Sequence, residues 1–536
     1  MGKRLQLRLI FLLMGAIVST PVIIMMSLLN QGVPHMAEEE CWRSTDPSQF
    51  ECWMPSDMLQ VGGKLDSALV AAKGESSFVY IILVDTMHIK LALNLHETSF
   101  KQLQIDNYLF ICADRTAVDL MFVRGIECYG YPYPQEYSEV GGGSYEHREL
   151  NLVLRSQMQT KVALSALLLG HAILLLDVIA IMCHDVAPFI NSSSADLLLP
   201  RDYQQSSFSY YFAKPLDWVK ELHVRALELH RLNPDSPLSE PFFLSQALDI
   251  MTQRHEHLAV GIFDPLYFPG NQQPTADGSN CSTCVIVISK DFTSIEEQIY
   301  QLKESTLWML DYGYYSDRGR KYISYHNNID FGEKNVEYEL KALKNALFIG
   351  ELLNRTVILP KFSCSSCPKD KCPPAKKRCF LDNHVTIAAF DRFFSGKYRE
   401  SAFLTHPLIN RRVKKSRSQV ILIKTEFVRL LHPSQLKSNS STREVLTFTP
   451  SNPIVGTKPG DIMLWFDRAP FKHFSILRFH SLYDVFKWPL PTWSLDFMTF
   501  EGKIKRSFKT KEHSFDSQSL DVVKRVLSRV FSLLNV

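Results

Sequence analysis

Three apolar runs in the first third of the chain each finish on an aspartate. "VYIILVD" ends at Asp85, "YLFICAD" at Asp114, and "AILLLDV" carries Asp177 beside its last residue. An unpaired carboxylate at the mouth of a buried segment is costly, so each acid needs a partner. One partner is the backbone of a following helix, which the acid caps. The other is a ligand, either a hydroxyl that donates to the acid or a hard divalent cation held by oxygen. Asp85 and Asp114 fit both readings, and Asp177 fits the ligand reading better. Lys161 lies shortly before the third run, where it reaches a phosphate or stands in solvent. His171 and His184 read as structural histidines. Asn354 and Arg355 are ligand candidates in the second half, although a helix end explains them equally well.

The elements that must carry these acids follow from the pattern. The runs have strand length, and "HIKLALNLHETSFKQLQI" between the first two has helical spacing. Strand, helix, strand with an acid at each carboxyl end is the pattern of a parallel α/β sheet, whose ligands bind beyond the strand C-termini. Asp177 decides the third run. A membrane span over 167–190 would place this carboxylate in hydrocarbon, so the segment reads as a helix over 160–169, a turn at Gly170 and a strand over 172–178. "GGGSYEHRE" (141–149) reads as a loop without phosphate-cradling spacing. "PLDWVKELHVRALELHRL" (215–232) predicts a helix with Trp218, Leu222, Ala226 and Leu229 inward, and "SIEEQIYQLKESTLWML" (294–310) predicts another. The second half opens a new α/β unit. A helix there brings Leu340, Leu343, Leu347 and Leu352 together and ends at Asn354, and "TVILP" makes the next strand. "QVILIK" (419–424) and "DIMLWF" (461–466) are further strands, and 520–534 is an amphipathic helix.

Charge is nearly balanced, 59 basic residues against 56 acidic, which argues against a nucleic-acid binder with its concentrated basic face. The N-terminus is informative. After a basic tail (1–8), Leu9 to Leu29 carries no charge and is long enough at helical rise to cross roughly 30 Å of hydrocarbon. Positive charge before it and "AEEE" after it leave the tail in the cytoplasm, so 9–29 reads as a signal anchor and 30–75 as a luminal stem. Acceptor patterns for N-glycans at Asn191, Asn280, Asn354 and Asn439 agree with a lumen. Cys41 and Cys52 in the stem are close enough to pair. Cys364, Cys367, Cys372 and Cys379 have spacing open to zinc or to two disulfides, and an oxidising lumen favours the disulfides. The cysteines number eleven, so one is free or pairs elsewhere.

In order, "VYIILVD", "YLFICADRTAVDLMFVRGIECYGYP", "KVALSALLLGHAILLLDVIAIMCHDVAPFI", "SADLLLPRDY", "GIFDPLYFPG" and "IYQLKESTLWMLD" resemble the nucleotide-diphospho-sugar transferase family of the plant xylosyl- and arabinosyltransferases. "NALFIGELLNRTVILPKFSC" and "YRESAFL" resemble the C-terminal extension of arabinosyltransferase-like members, and "LLNRTVILP" is also similar to the start of protein O-fucosyltransferases. The resemblance implies a GT-A-like, mostly parallel α/β domain over 76–315 and a second α/β domain over 320–536, in a single-pass type II Golgi membrane protein. It implies transfer of a sugar from a nucleotide sugar to a glycan or glycoprotein acceptor, with Asp85, Asp114, Lys161 and Asp177 against the donor. Such enzymes hold Mn2+ or Mg2+ with Asp-x-Asp. Here the triplet is Asp177-Val178-Ile179, and isoleucine ligates nothing. The family's late histidine is absent from "VIVISKDFTS", and "SSFSYYFAKP" lacks its glycine. Asp185 is the replacement ligand to test first, with Asp196 and Asp202 beside it, and Lys290 is a metal-free alternative for the diphosphate. A catalytically inactive homologue that binds glycan or scaffolds a partner transferase is the other reading.

Overall fold

The computed structural model describes residues 62–131, 145–201, 203, 210–232, 240–253, 258–268, 284–288, 294–326, 335–363, 378–410, 413, 417–422, 445–448, 466, 471–479, 482 and 503. The expected anchor (9–29), the stem up to 61, Cys41, Cys52, Cys364, Cys367, Cys372, Asp202, Asn280, Lys290, Asn439 and the helix at 520–534 lie outside the described residues, as does 461–466 apart from Phe466. Among the described residues no helix is long and apolar enough to cross a membrane. The two sheets below belong to one unit of chain, Lys64–Val536.

Residues 62–73, expected as the end of the stem, form helix α1 (Gly62–Lys73), because Leu65 and Leu69 share a buried face. β1 (Val79–Val84) is buried at every position, as an apolar run inside a parallel sheet must be. α2 (Ile89–Leu95) continues through a π-turn at His96–Phe100 to Leu103. β2 (Tyr108–Cys112), α3 (Arg115–Val123) and β3 (Cys128–Gly130) follow. α4 (Tyr145–Leu168) is much longer than the 160–169 expected, and its first turns replace the second part of the expected loop. The residues after Tyr145 look polar, but one face of the helix buries Arg155, Met158, Val162 and Ala166, and propagation from that anchored face is cheap. Gly170, at φ 86°, then turns the chain into β4 (Ile173–Leu176). Next come β5 (Ala180–Met182), α5 (Ala187–Asn191), β6 (Leu197–Leu199), β7 (Tyr210–Ala213), α6 (Asp217–Leu232), α7 (Glu240–Thr252), β8 (Val260–Ile262) and β9 (Ile286–Ile288).

The first sheet has the order β3-β2-β1-β4-β7-β6-β8. β1 is parallel to both β2 and β4, while β7 runs antiparallel between β4 and β6. The chain therefore lays β2 and β3 to one side of β1 and β4 to the other. This reversal between β1 and β4 is the switch point at which open α/β sheets bind ligands. α6 buries Val219, Leu222, His223, Ala226 and His230, a face rotated from the expected one. Two histidines account for the difference. His223 contacts Val219 O through Nδ1 and Tyr211 Oη through Nε2, and burial pushes both imidazole pKa values down to about 4.

The second half contributes α8 (Ile295–Glu304), β10 (Tyr322–Tyr325), α9 (Asn335–Leu352), β11 (Thr356–Ile358), the pair β12 (Phe362–Ser363) and β13 (Arg378–Cys379), α10 (Ile387–Phe394), β14 (Tyr398–Arg399), β15 (Arg417–Leu422), β16 (Val445–Phe448) and β17 (Ile476–Phe479). Its sheet, β14-β11-β10-β17-β15-β16, is parallel throughout. The sheets share a core, since Tyr315, Tyr322, Phe403 and Ile476 pack in one cluster with Tyr80, Phe110 and Leu174. Polar joints reinforce it. Buried Asn94 donates to Leu307 O and accepts from Met309 N. Glu304 accepts from Ser401 N, Ser401 Oγ and Ala402 N, and burial pushes its pKa up to about 7.

Candidate active site

The site grows from the ends of β1 and β4. The register Val79↔Ile173 to Ile81↔Leu175, continued two residues, sets Asp177 level with Leu83. Asp85 follows immediately beyond Val84 on the neighbouring strand. Both carboxylates are reached by Arg155 from α4, which sequence reasoning missed. Its Nη1 donates to Asp85 Oδ2 at 3.1 Å, and its Nη2 to Asp177 Oδ1 and Leu83 O at 3.3 Å each. The Arg155 and Asp85 side chains are 7% and 8% exposed, against 27% for Asp177. A buried guanidinium requires such partners, and its planar fork suits two carboxylates at once.

His88 completes the group. Its amide donates to Asp85 Oδ1 at 2.8 Å, and its ring Nδ1 lies 2.6 Å from the same oxygen. An ionised carboxylate only accepts, so Nδ1 carries the hydrogen and a neutral ring keeps Nε2 as its acceptor. The 3.4 Å approach of Arg155 Nη1 to Nδ1 is then a contact between two donors, with Asp85 holding both. Burial raises the Asp85 carboxyl pKa, but His88 and then Arg155 outweigh it and hold the group well below the usual carboxylate range. Asp177 has its Oδ1 on Arg155, while no hydrogen bond among the described residues takes its Oδ2. The edge thus offers a half-exposed carboxylate oxygen beside an oriented imidazole, a pair able to accept hydroxyl hydrogens and to take up a proton.

The other candidates are placed elsewhere or serve the scaffold. Asp114 caps α3 by accepting from Ala117 N, and it also accepts from Thr86 N and Thr86 Oγ1, tying down the loop after β1. Lys161 is half-exposed on α4 six residues after Arg155, about a third of a turn round the helix, and is not brought to the acids. Asp185 accepts from Tyr80 Oη and Ala187 N, and Asp196 from Lys214 Nζ. His171 pairs with Asp66. Buried Arg355 donates to Phe474 O, a scaffold bond at the start of β11. Asn191 and Asn354 are exposed, the latter at φ 49° just beyond α9. Cys112 and Cys128 form a disulfide between β2 and β3 that spacing did not announce. Cys284 and Cys379 are also disulfide-bonded, and Cys183 is free.

A divalent cation implied by the resemblance does not fit these residues. Ile179, in the place of a second acid, is 7% exposed and packed in the core. Asp185 is engaged with Tyr80, which pairs with Leu174, three residues and about 10 Å of strand before Asp177. Among the described residues no group of three or more His, Cys, Asp or Glu could hold a metal ion.

No family model matches the chain, and no curated protein matches it. Solved structures do. A glycosyltransferase involved in glycosylation of the major capsid of PBCV-1 is 12% identical with TM-score 0.27, covering 42% of this chain and 98% of its own. Mouse xyloside xylosyltransferase 1 is 10% identical with TM-score 0.25, covering 41% and 99%. The galactosyltransferase LgtC, solved with donor and acceptor sugar analogues, is 10% identical with TM-score 0.24, covering 35% and 74%. Similarities this low establish neither fold nor activity.

Proposed function

We propose that this chain is a glycosyltransferase that binds a nucleotide sugar over the β1–β4 switch point and passes the sugar to a glycan or glycoprotein acceptor. The observation that carries this reading is the meeting of Asp85, Asp177, Arg155 and His88 between β1 and β4, where the strand order of the first sheet reverses. Asp177 Oδ2 accepts a ligand hydroxyl, His88 Nε2 takes up a proton, and Arg155 fixes the carboxylates that position both. The uncharged stretch 9–29 anchors the protein as a type II Golgi membrane protein, and the acceptor patterns at Asn191, Asn280, Asn354 and Asn439 carry N-glycans. The second reading, an inactive homologue that binds glycan or a partner transferase, is favoured by Ile179, whose burial removes a ligand from the donor pocket.

Calorimetry of the full-length protein against a panel of nucleosides, nucleoside diphosphates and nucleotide sugars separates the two. Binding of one nucleotide class, weakened about tenfold or more in Asp177→Ala by loss of a bond to a charged acceptor, is the expected result. A folded protein that binds none of the panel removes the transferase reading of the first sheet.

A further inference from the structure

The disagreement between the expected cation and the residues present is itself informative. A divalent ion at the end of β4 would need the oxygens of Asp177 and a second acid. One Asp177 oxygen is committed to Arg155, Asp85 is committed to Arg155 and His88, and position 179 is an aliphatic side chain inside the core. Part of the charge that a cation would neutralise is already met by Arg155, which bridges both acids. Two carboxylates face one guanidinium, and the His88 amide and ring Nδ1 both donate to Asp85 Oδ1. Arg155 is no surface residue that swings aside, because its side chain is 7% exposed and is anchored on a third oxygen, Leu83 O.

We infer that Arg155 is the resident cation of this edge, standing where a divalent metal would stand, and that ligand binding at the β1–β4 switch point is metal-independent. Arg155 is thus a positioning residue, and removing it creates a metal site that the wild-type protein lacks. With methionine at 155 the two carboxylates lose their counter-charge, and a hard cation becomes their best available partner. The inference rests on the nucleotide reading for its ligand but not for its metal arm.

Two measurements on the full-length protein test it. Titration of Mn2+ alone, followed by electron paramagnetic resonance of the free ion, is expected to show no stoichiometric uptake by wild type, uptake by Arg155→Met, and loss of that uptake in Arg155→Met/Asp177→Asn. Calorimetry with UDP and GDP is expected to give the same wild-type affinity in EDTA and in millimolar Mn2+. Wild-type uptake of Mn2+ that Asp177→Asn abolishes overturns the inference, as does nucleotide binding that appears only with Mn2+. If neither nucleotide binds under either condition, the nucleotide reading loses support while the Mn2+ titrations still decide the role of Arg155. If Arg155→Met does not fold, the wild-type and Asp177→Asn titrations decide it.

Discussion

Asp85→Asn is the substitution that most directly tests the physical account of the site. The amide keeps the shape of the carboxylate but not its charge. Asp85 Oδ1 receives two bonds from His88 and Oδ2 one from Arg155, so an asparagine must turn its NH2 group toward a donor on one side or the other. Removing one member of a buried ion pair costs about 3–5 kcal/mol, and 3 kcal/mol corresponds to more than a hundredfold in an opening equilibrium. Two sheets joined by one core need not unfold in a single step, so the local quantity is the one to measure. Hydrogen exchange of the β1 and β4 amides, read by mass spectrometry at pH 7, should speed up by about that factor. The pH dependence carries the signature. A carboxylate whose folded pKa is depressed contributes stability that is present above its unfolded value, near 3.9, and lost as pH falls toward the folded one. The gap between wild type and Asp85→Asn should therefore be constant from about pH 5 upward and narrow by about 1 kcal/mol by pH 3. A gap below about 1 kcal/mol at pH 7, or one that does not change between pH 7 and pH 3, would mean that Asp85 is not held by charge.

Two further outcomes are expected. A Cβ at Gly350 would stand 2.7 Å from Arg355 O and 3.0 Å from Val357 Cγ2, so Gly350→Ala should cost about 1–3 kcal/mol. Faster exchange in α9 and β11, with the first sheet unchanged, checks it, and normal protection there would show that the helix has room to move. Cys128→Ser opens a disulfide with sequence separation 16 and should cost about 3 kcal/mol. Thermal unfolding without reductant checks this, since the variant should melt below wild type, and a variant as stable as wild type would refute it.

The legible part of this fold was the part written in long apolar runs. β1, β2 and β4 each bury four or more residues in succession and end on an acid, and that pattern alone indicated a parallel sheet. The short strands at 197–199 and 260–262 have too few residues to show any period. Arg155 was missed because α4 was read only from its apolar end, although a signal existed. Counting back from Ala166 and Val162 in steps of three and four gives Met158, Gln159 and then Arg155, so the arginine holds a core position on an amphipathic helix. An arginine there must find buried anions, and the two unexplained acids at the strand ends were the available ones. The inward histidines of α6 teach the same lesson, because composition marked that face polar while Tyr211 and Val219 O satisfy His223 inside.

Ile179 and Arg155 are best understood as two sides of one electrostatic solution. A site with acids at 85, 177 and 179 would gather three carboxylates against a single guanidinium, a charge that calls for a divalent ion. With isoleucine at 179, two carboxylates remain, one guanidinium bridges both, and the His88 ring donates to one of them. The loss at 179 therefore does not leave an empty half of a metal site. It leaves an ion cluster that is complete in itself, with Asp177 Oδ2 turned partly to solvent and His88 fixed through Nδ1. A degenerate motif read from sequence as the ruin of a catalytic centre is, in three dimensions, a site with different electrostatics, and its ligand must be one that a hydrogen-bonding carboxylate and an imidazole can recognise on their own.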